Sequence, residues 1–155
     1  MLKIGDQAPD FSSPNQDNQI INLAGYQGKR NVVLYFYPKD DTPGCTIEAN
    51  EFSALIEQFS AADATIIGVS KDDCGSHQAF IKKYNLRLDL LADTSGELCE
   101  AYGVWQDKQK HGETVKGIVR STFVIDKQGQ IAYAEYKVNP EGHAQKVLEK
   151  TRKLN

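Results

Sequence analysis

VVLYFYPKDDTPGCTIEANEFSALIEQF, Val32 to Phe59, changes its hydrophobic period halfway. Val32–Tyr37 is an unbroken run of apolar, β-branched and aromatic residues bounded by Arg30-Asn31 and Pro38, the composition of a strand covered on both faces. From Gly44 onward Phe52, Leu55, Ile56 and Phe59 fall at i, i+3, i+4 and i+7, one face of a helix. A buried strand that feeds a helix opens an alternating α/β chain.

The alternation continues outward from this stretch. Ala64–Ser70 (ATIIGVS) reads as a second buried strand, and Asp72 or Asp73 as the cap of a helix whose apolar stripe is Phe80, Ile81 and Tyr84. Leu88–Leu91 is a third strand and Gly96–Tyr102 a short helix. Ser121–Asp126 and Gln130–Tyr136 are strands joined by Lys127-Gln128-Gly129, a hairpin signal. Ala144, Val147, Leu148 and Thr151 give the last segment the stripe of an amphipathic helix. Toward the beginning, turn formers dominate and pieces such as Gln19–Leu23 suggest small edge strands. Asp107–Lys116 reads as a solvated connection. The order predicts an α/β fold, a mixed central sheet flanked by helices with small N-terminal strands. A thioredoxin-like fold is compatible with it, as are other small α/β folds.

Composition narrows the function. At 155 residues, 1–155 is expected to form one domain. A net charge of −3 gives no reason to expect nucleic acid or an anionic membrane as partner. The opening MLKIGDQAPDF has no apolar run after its lysine, so no signal peptide is expected, and Val32–Tyr37 is too short to span a bilayer. Three scattered cysteines do not make a disulfide framework, and a reducing cytoplasm is the expected compartment.

One cysteine stands apart. Cys45 follows the C-terminal end of a buried strand, the edge where open α/β sheets bind ligands. It also falls in the first turn of a helix, where unpaired N–H groups favour negative charge, and Pro43-Gly44 make the loop tight. Thiols in such settings tend toward the nucleophilic thiolate. The plain alternative is a cysteine that merely packs. Cys74-x-x-His77 has the spacing of half a zinc site, but only His111 and His143 remain as histidines, both in polar surroundings, so no metal is expected. His77 reads instead as a helix residue with a satisfied ring. Gly25–Arg30 fails the phosphate-loop spacing, no Cys-x-x-Cys is present, and Trp105 reads as core or pocket rim.

Pro38-x-x-x-Thr42-Pro43-Gly44-Cys45-Thr46 resembles the active-site signature of peroxiredoxins. The longer phrase YFYPKDDTPGCTIEANEF is similar to the peroxiredoxin Q branch, the bacterioferritin comigratory proteins. GVSKDD, SHQAFIKKYNL, LLAD, YGVW and GIVRSTFVID extend the resemblance over nearly the whole chain. It implies a thioredoxin fold and reduction of hydrogen peroxide and alkyl hydroperoxides without metal, haem or flavin. By this resemblance Cys45 is the peroxidatic cysteine, Thr42 contacts thiolate and peroxide, Pro38 shields the pocket, and Arg120 is the active-site arginine. Glu48 orients that arginine, and the N–H groups of Gly44 and Cys45 complete the donor set. Thioredoxin is the implied reductant, and a monomer the implied state.

The resemblance departs where the sulfenic acid must be resolved. Many peroxiredoxin Q members carry a resolving cysteine five residues after the first, and others carry it on the following helix; here those positions are Asn50 and Ile81. Cys74 is the first candidate, because parallel strands would bring its loop to the same sheet edge as Cys45. Cys99 reads as a packing residue. The alternatives are a one-cysteine cycle served by glutathione, glutaredoxin or another thiol, and a thioredoxin-fold binding protein in which Cys45 is silent.

Overall fold

The computed structural model describes residues 1–154. In chain order it holds β1 (Ser12–Pro14), β2 (Ile20–Asn22), β3 (Asn31–Phe36), α1 (Pro43–Ala54), α2 (Ile56–Ala61), β4 (Ala64–Ser70), α3 (Cys74–Tyr84) and β5 (Asp89–Ala92). Then follow α4 (Glu97–Ala101), β6 (Trp105–Lys110), β7 (Glu113–Ile118), β8 (Ser121–Ile125), β9 (Ile131–Tyr136) and α5 (His143–Arg152). The central sheet has the order β5-β4-β3-β8-β9. β5, β4 and β3 run parallel, while β8 and β9 are antiparallel, so the sheet is mixed as the closing hairpin predicts. β1 and β2 pair separately as the small N-terminal strands.

β3 owes its central place to its composition: all six of its residues are buried. Val32, Leu34 and Phe36 point into one core, with Phe11, Leu98 and Tyr102. Val33, Tyr35 and Tyr37 point into the other, among Phe52 of α1, Phe80 of α3 and Val147 and Leu148 of α5. Gly68 of β4 makes room for this second layer, since a Cβ there would lie 2.8 Å from the ring of Tyr35.

Three readings need correction. The helix expected to run through Phe59 is two helices, broken at Leu55, whose N–H turns back to the Phe52 carbonyl at 3.1 Å. The apolar period crosses the break undisturbed because Phe52 and Phe59 are both fully buried. Asp107–Lys116 is not an irregular connection but most of an antiparallel hairpin, β6–β7, in which Trp105 pairs with Ile118 and Lys110 with Glu113. His111 and Gly112 close it with positive φ at both positions (52° and 79°), which matches the right-handed twist of a two-residue turn. His143 does not lie in polar surroundings: it is buried edge-on against Phe52, with Nε2 2.8 Å from Thr122 Oγ1, and burial pushes its ring down to about 4.

Candidate active site

β3 ends at the sheet's C-terminal edge and hands the chain to a tight loop, 37–42, before α1. Thr42 is the N-cap of α1 and Pro43 its first residue, a position where the missing N–H costs nothing. Cys45 is therefore the third residue of the helix, and the N–H groups of Gly44 and Cys45 have no acceptor within it. The Thr42 side chain does not cap; its hydroxyl donates to the Lys39 carbonyl at 2.8 Å. That leaves the oxygen's lone pairs as its free function. Asp41, between these residues, holds a left-handed backbone (φ 58°).

Cys45 is 1 % exposed, at the boundary between the second core and the loop. Arg120, on the short link between β7 and β8, reaches it from across the sheet edge. Its Nη2 donates to Cys45 Sγ at 3.4 Å and its Nη1 donates to Glu48 Oε1 at 2.8 Å. One planar group thus serves sulfur and carboxylate together, a use that the fixed fork of a guanidinium suits. Burial alone would lower Arg120, but Glu48 and Cys45 beside it hold it above its usual range. Glu48 is fully buried; that burial, working against Arg120, pushes its carboxyl up to about 7. Its second oxygen and the Tyr35 hydroxyl are buried without hydrogen-bond partners among the described residues.

Gly44 has a steric reason to be glycine. A Cβ there would lie 3.0 Å from Arg120 Nη2 and 3.4 Å from Pro140 Cγ, crowding the group that reaches the sulfur. Pro38 lines one end of an open groove of about 500 Å³ whose walls include Trp105, Lys108, Val115 and Ile118. Lys71 Nζ sits 4.2 Å over the Trp105 ring, and Lys108 Nζ donates to the Ile118 carbonyl at 2.8 Å.

Cys45, Arg120, Glu48 and Gly44 therefore come together, with Thr42 and Pro38 on the adjoining loop. Cys74 is the first residue of α3 and half-buried, its Sγ donating to the Asn15 carbonyl at 3.2 Å. β3 and β4 pair in parallel, so the loops carrying Cys45 and Cys74 leave the same edge, and the Asp40 N–H donating to Asp72 Oδ2 at 2.8 Å joins those loops directly. Cys99 is buried in α4, where burial and Asp93 push its thiol far up. Asn50 is exposed on α1 and Ile81 half-buried on α3. The halves of the Cys74-x-x-His77 pair face different partners: His77 turns inward to Asp40 and the Leu91 carbonyl. Asp40, Asp72 and His77 bring ligand-type atoms within 4.8 Å of one another, yet each of these groups already has hydrogen-bond partners of its own. Sequence reasoning missed Asp40, and it offered Asp72 or Asp73 as the cap of α3; Asp73 takes that place, while Asp72 ties down the Asp40 N–H. Sequence reasoning also missed Lys108, hidden in a segment read as solvated.

The sequence profile described as the AhpC/TSA family matches residues 4–134. A peroxiredoxin Bcp of Bacillus subtilis is 43 % identical over 148 residues, covering 96 % of this chain and 94 % of that protein. A putative peroxiredoxin bcp of Coxiella burnetii is 44 % identical over 147 residues, covering 95 % and 97 %. Among solved structures, a peroxiredoxin Q mutant of Xylella fastidiosa superposes with a TM-score of 0.94 at 35 % identity, covering 99 % of this chain and 98 % of that one. A bacterioferritin comigratory protein of Xanthomonas campestris, described for its alkyl peroxide reduction activity, superposes at 0.90 with 36 % identity, covering 99 % and 98 %. The thioredoxin-like peroxiredoxin fold is common to them. No helix among the described residues is long and apolar enough to cross a membrane.

Proposed function

The chain belongs to the AhpC/TSA family, among its peroxiredoxin Q members, and is a thiol peroxidase; on that footing we propose that its chemistry runs through Cys45, with hydrogen peroxide and alkyl hydroperoxides as substrates. The observation that carries the assignment is the bridging guanidinium of Arg120, 3.4 Å from Cys45 Sγ and 2.8 Å from Glu48 Oε1.

The Cys45 thiolate attacks the terminal oxygen of the hydroperoxide. The S–O bond forms as the O–O bond breaks, and the departing alkoxide or hydroxide takes a proton to leave as alcohol or water. Negative charge spreads over sulfur and both oxygens, and donors already aimed at it lower the barrier. Arg120 supplies one set of donors, and the N–H groups of Gly44 and Cys45 supply another at the helix N-terminus. Thr42 commits its hydrogen to Lys39, so its oxygen accepts the hydroperoxide O–H and orients the substrate. Glu48 holds Arg120 in register. Pro38 and the groove beside it, with apolar Trp105, Val115 and Ile118, suit the alkyl part of an organic hydroperoxide.

In the resolving step the Cys74 thiol attacks the Cys45 sulfenic acid, giving a disulfide and water, and a dithiol such as thioredoxin returns both cysteines to thiols. The parallel pairing of β3 and β4 supports this choice. Against it stands the Cys74 Sγ bond to Asn15, which must break first and which favours the second reading, a one-cysteine cycle served by an external thiol. Steady-state peroxide consumption separates them. Turnover driven by thioredoxin and its reductase, absent in Cys74→Ser and Cys45→Ser alike, is the expected result. Turnover of Cys74→Ser equal to wild type assigns resolution to an outside thiol, and activity retained in Cys45→Ser overturns the proposal.

A further inference from the structure

Outside the group that touches the sulfur lies a second, largely buried network. Asp40 is its hub, 8 % exposed in the loop between Pro38 and Thr42. Its Oδ1 accepts from the Tyr37 hydroxyl at 2.5 Å, and its Oδ2 accepts from Ser76 Oγ at 2.8 Å and lies 2.8 Å from His77 Nδ1. The other nitrogen of His77, Nε2, is 2.8 Å from the Leu91 carbonyl. A carbonyl only accepts, so Nε2 carries a hydrogen and donates it. Nδ1 faces the Asp40 carboxyl at hydrogen-bond distance, so both ring nitrogens of His77 are held. His77 is fully buried, so the bond is made where no water competes.

The loop held by this network is strained. Asp41 adopts φ 58°, a left-handed conformation that an aspartate takes at a cost and keeps only when its surroundings enforce it. Enforcement comes from α3 on both sides. Outside, Lys83 Nζ and the Tyr84 hydroxyl donate to Asp41 at 2.7 and 2.6 Å. Inside, Ser76 and His77 hold Asp40. Immediately beyond stand the Thr42 hydroxyl, fixed on Lys39, and the first helical bond, Thr46 N–H to the Thr42 carbonyl at 2.8 Å.

We infer that His77, acting through Asp40, is a positioning residue for the peroxide reaction: it locks the strained loop that sets Thr42 and the first turn of α1, and so the aim of the donors around Cys45. It touches neither sulfur nor substrate. This rests on the reading of Cys45 as the reacting thiol.

The test uses His77→Gln, His77→Asn, Asp40→Asn and the double variant His77→Gln/Asp40→Asn. Asparagine presents an amide N–H near the place of Nδ1, toward Asp40; glutamine presents one near Nε2, toward Leu91. The first readout is the second-order rate constant for oxidation of the reduced protein by hydrogen peroxide in a single turnover. His77→Gln and Asp40→Asn are each expected to lower it by about 10- to 100-fold, the scale of a small misplacement of reacting groups. His77→Asn should stay within a few-fold of wild type, and the double variant should be no slower than either single one, since both cut one link. A rate restored by glutamine and not by asparagine, or additive losses in the double variant, overturns the inference. The second readout is amide hydrogen exchange at Asp41–Thr46, independent of any peroxide chemistry. It should speed up in His77→Gln and not in His77→Asn; unchanged protection in His77→Gln overturns the positioning role. A wild type inert to peroxide with this exchange pattern intact would instead remove the peroxidase assignment of Cys45 and leave the lock standing.

Discussion

Arg120 carries two obligations with one side chain, a hydrogen bond to the Cys45 sulfur and another to Glu48. A lysine could keep the charge but not both bonds in a fixed plane. Arg120→Lys is therefore expected to slow Cys45 oxidation by about 10²- to 10³-fold, the cost of removing a preorganised donor, in stopped-flow single turnovers with the fold unchanged by circular dichroism. Glu48 makes a thermodynamic prediction. Burial raises its carboxyl from 4.5 to about 7, so the folded chain holds that proton more tightly than the unfolded chain. The resulting stabilisation is complete below the unfolded value and is lost as pH rises through about 7. Wild type should lose about 3 kcal/mol more stability than Glu48→Gln between about pH 4 and about pH 8, measured by urea unfolding. An equal pH dependence in the two proteins would show that Glu48 titrates normally. At this scale the sequence was partly legible. The setting of Cys45, after a buried strand and in the first turn of a helix, was legible from its neighbours, and His77 read correctly as a satisfied ring. Its partner Asp40, 37 positions away, could not be read from spacing, because strand pairing rather than local period brings them together.

Elements decide what reaches the sulfur. The hairpin β6–β7 forms a wall of the groove beside Pro38, yet its strands read as loop. Apart from Trp105, Val115, Gly117 and Ile118, their side chains are Lys, Gln, Asp, Glu and Thr, mostly exposed, and an exposed two-stranded ribbon needs no apolar alternation to record its pairing. Val115 is its exposed apolar residue, on the groove. Val115→Asp is expected to lower kcat/KM for cumene hydroperoxide by about tenfold while leaving hydrogen peroxide unaffected. Equal effects on both substrates would detach the groove from alkyl recognition. In the first turn of α1, Gly44→Ala should push its methyl against Arg120 and Pro140. The expected outcome is a rate of Cys45 oxidation lowered by about tenfold or more, with the melting temperature changed by only a few degrees. The break at Leu55 escaped notice for a complementary reason: α1 and α2 keep the same buried face, so the period that marks a helix does not mark its interruption.

The whole molecule is a mixed sheet whose parallel half sends two loops, after β3 and after β4, to one edge. That much was legible, because buried parallel strands and amphipathic helices leave unmistakable periods. What the edge brings together is chemistry separated by long stretches of chain: Arg120 against Cys45, Asp40 against His77, and the segment of Cys74 beside the segment of Cys45. Closure of a disulfide needs Cα atoms within roughly 7 Å and aligned Cβ vectors. Cys45 is packed in the core and Cys74 is held to Asn15, so on the proposed Cys74 cycle both would have to leave these contacts before they could meet. A cycle of this kind alternates a folded state that reacts with peroxide and a locally opened state that exchanges thiols. The most direct test is intact mass after one equivalent of hydrogen peroxide, without reductant, on wild type, Cys74→Ser and Cys45→Ser. The account predicts that wild type loses two hydrogens with Cys45 linked to Cys74, that Cys74→Ser gains one oxygen on Cys45, and that Cys45→Ser does not change. An unchanged wild type, or a Cys45→Ser protein oxidised as readily as wild type, would contradict it.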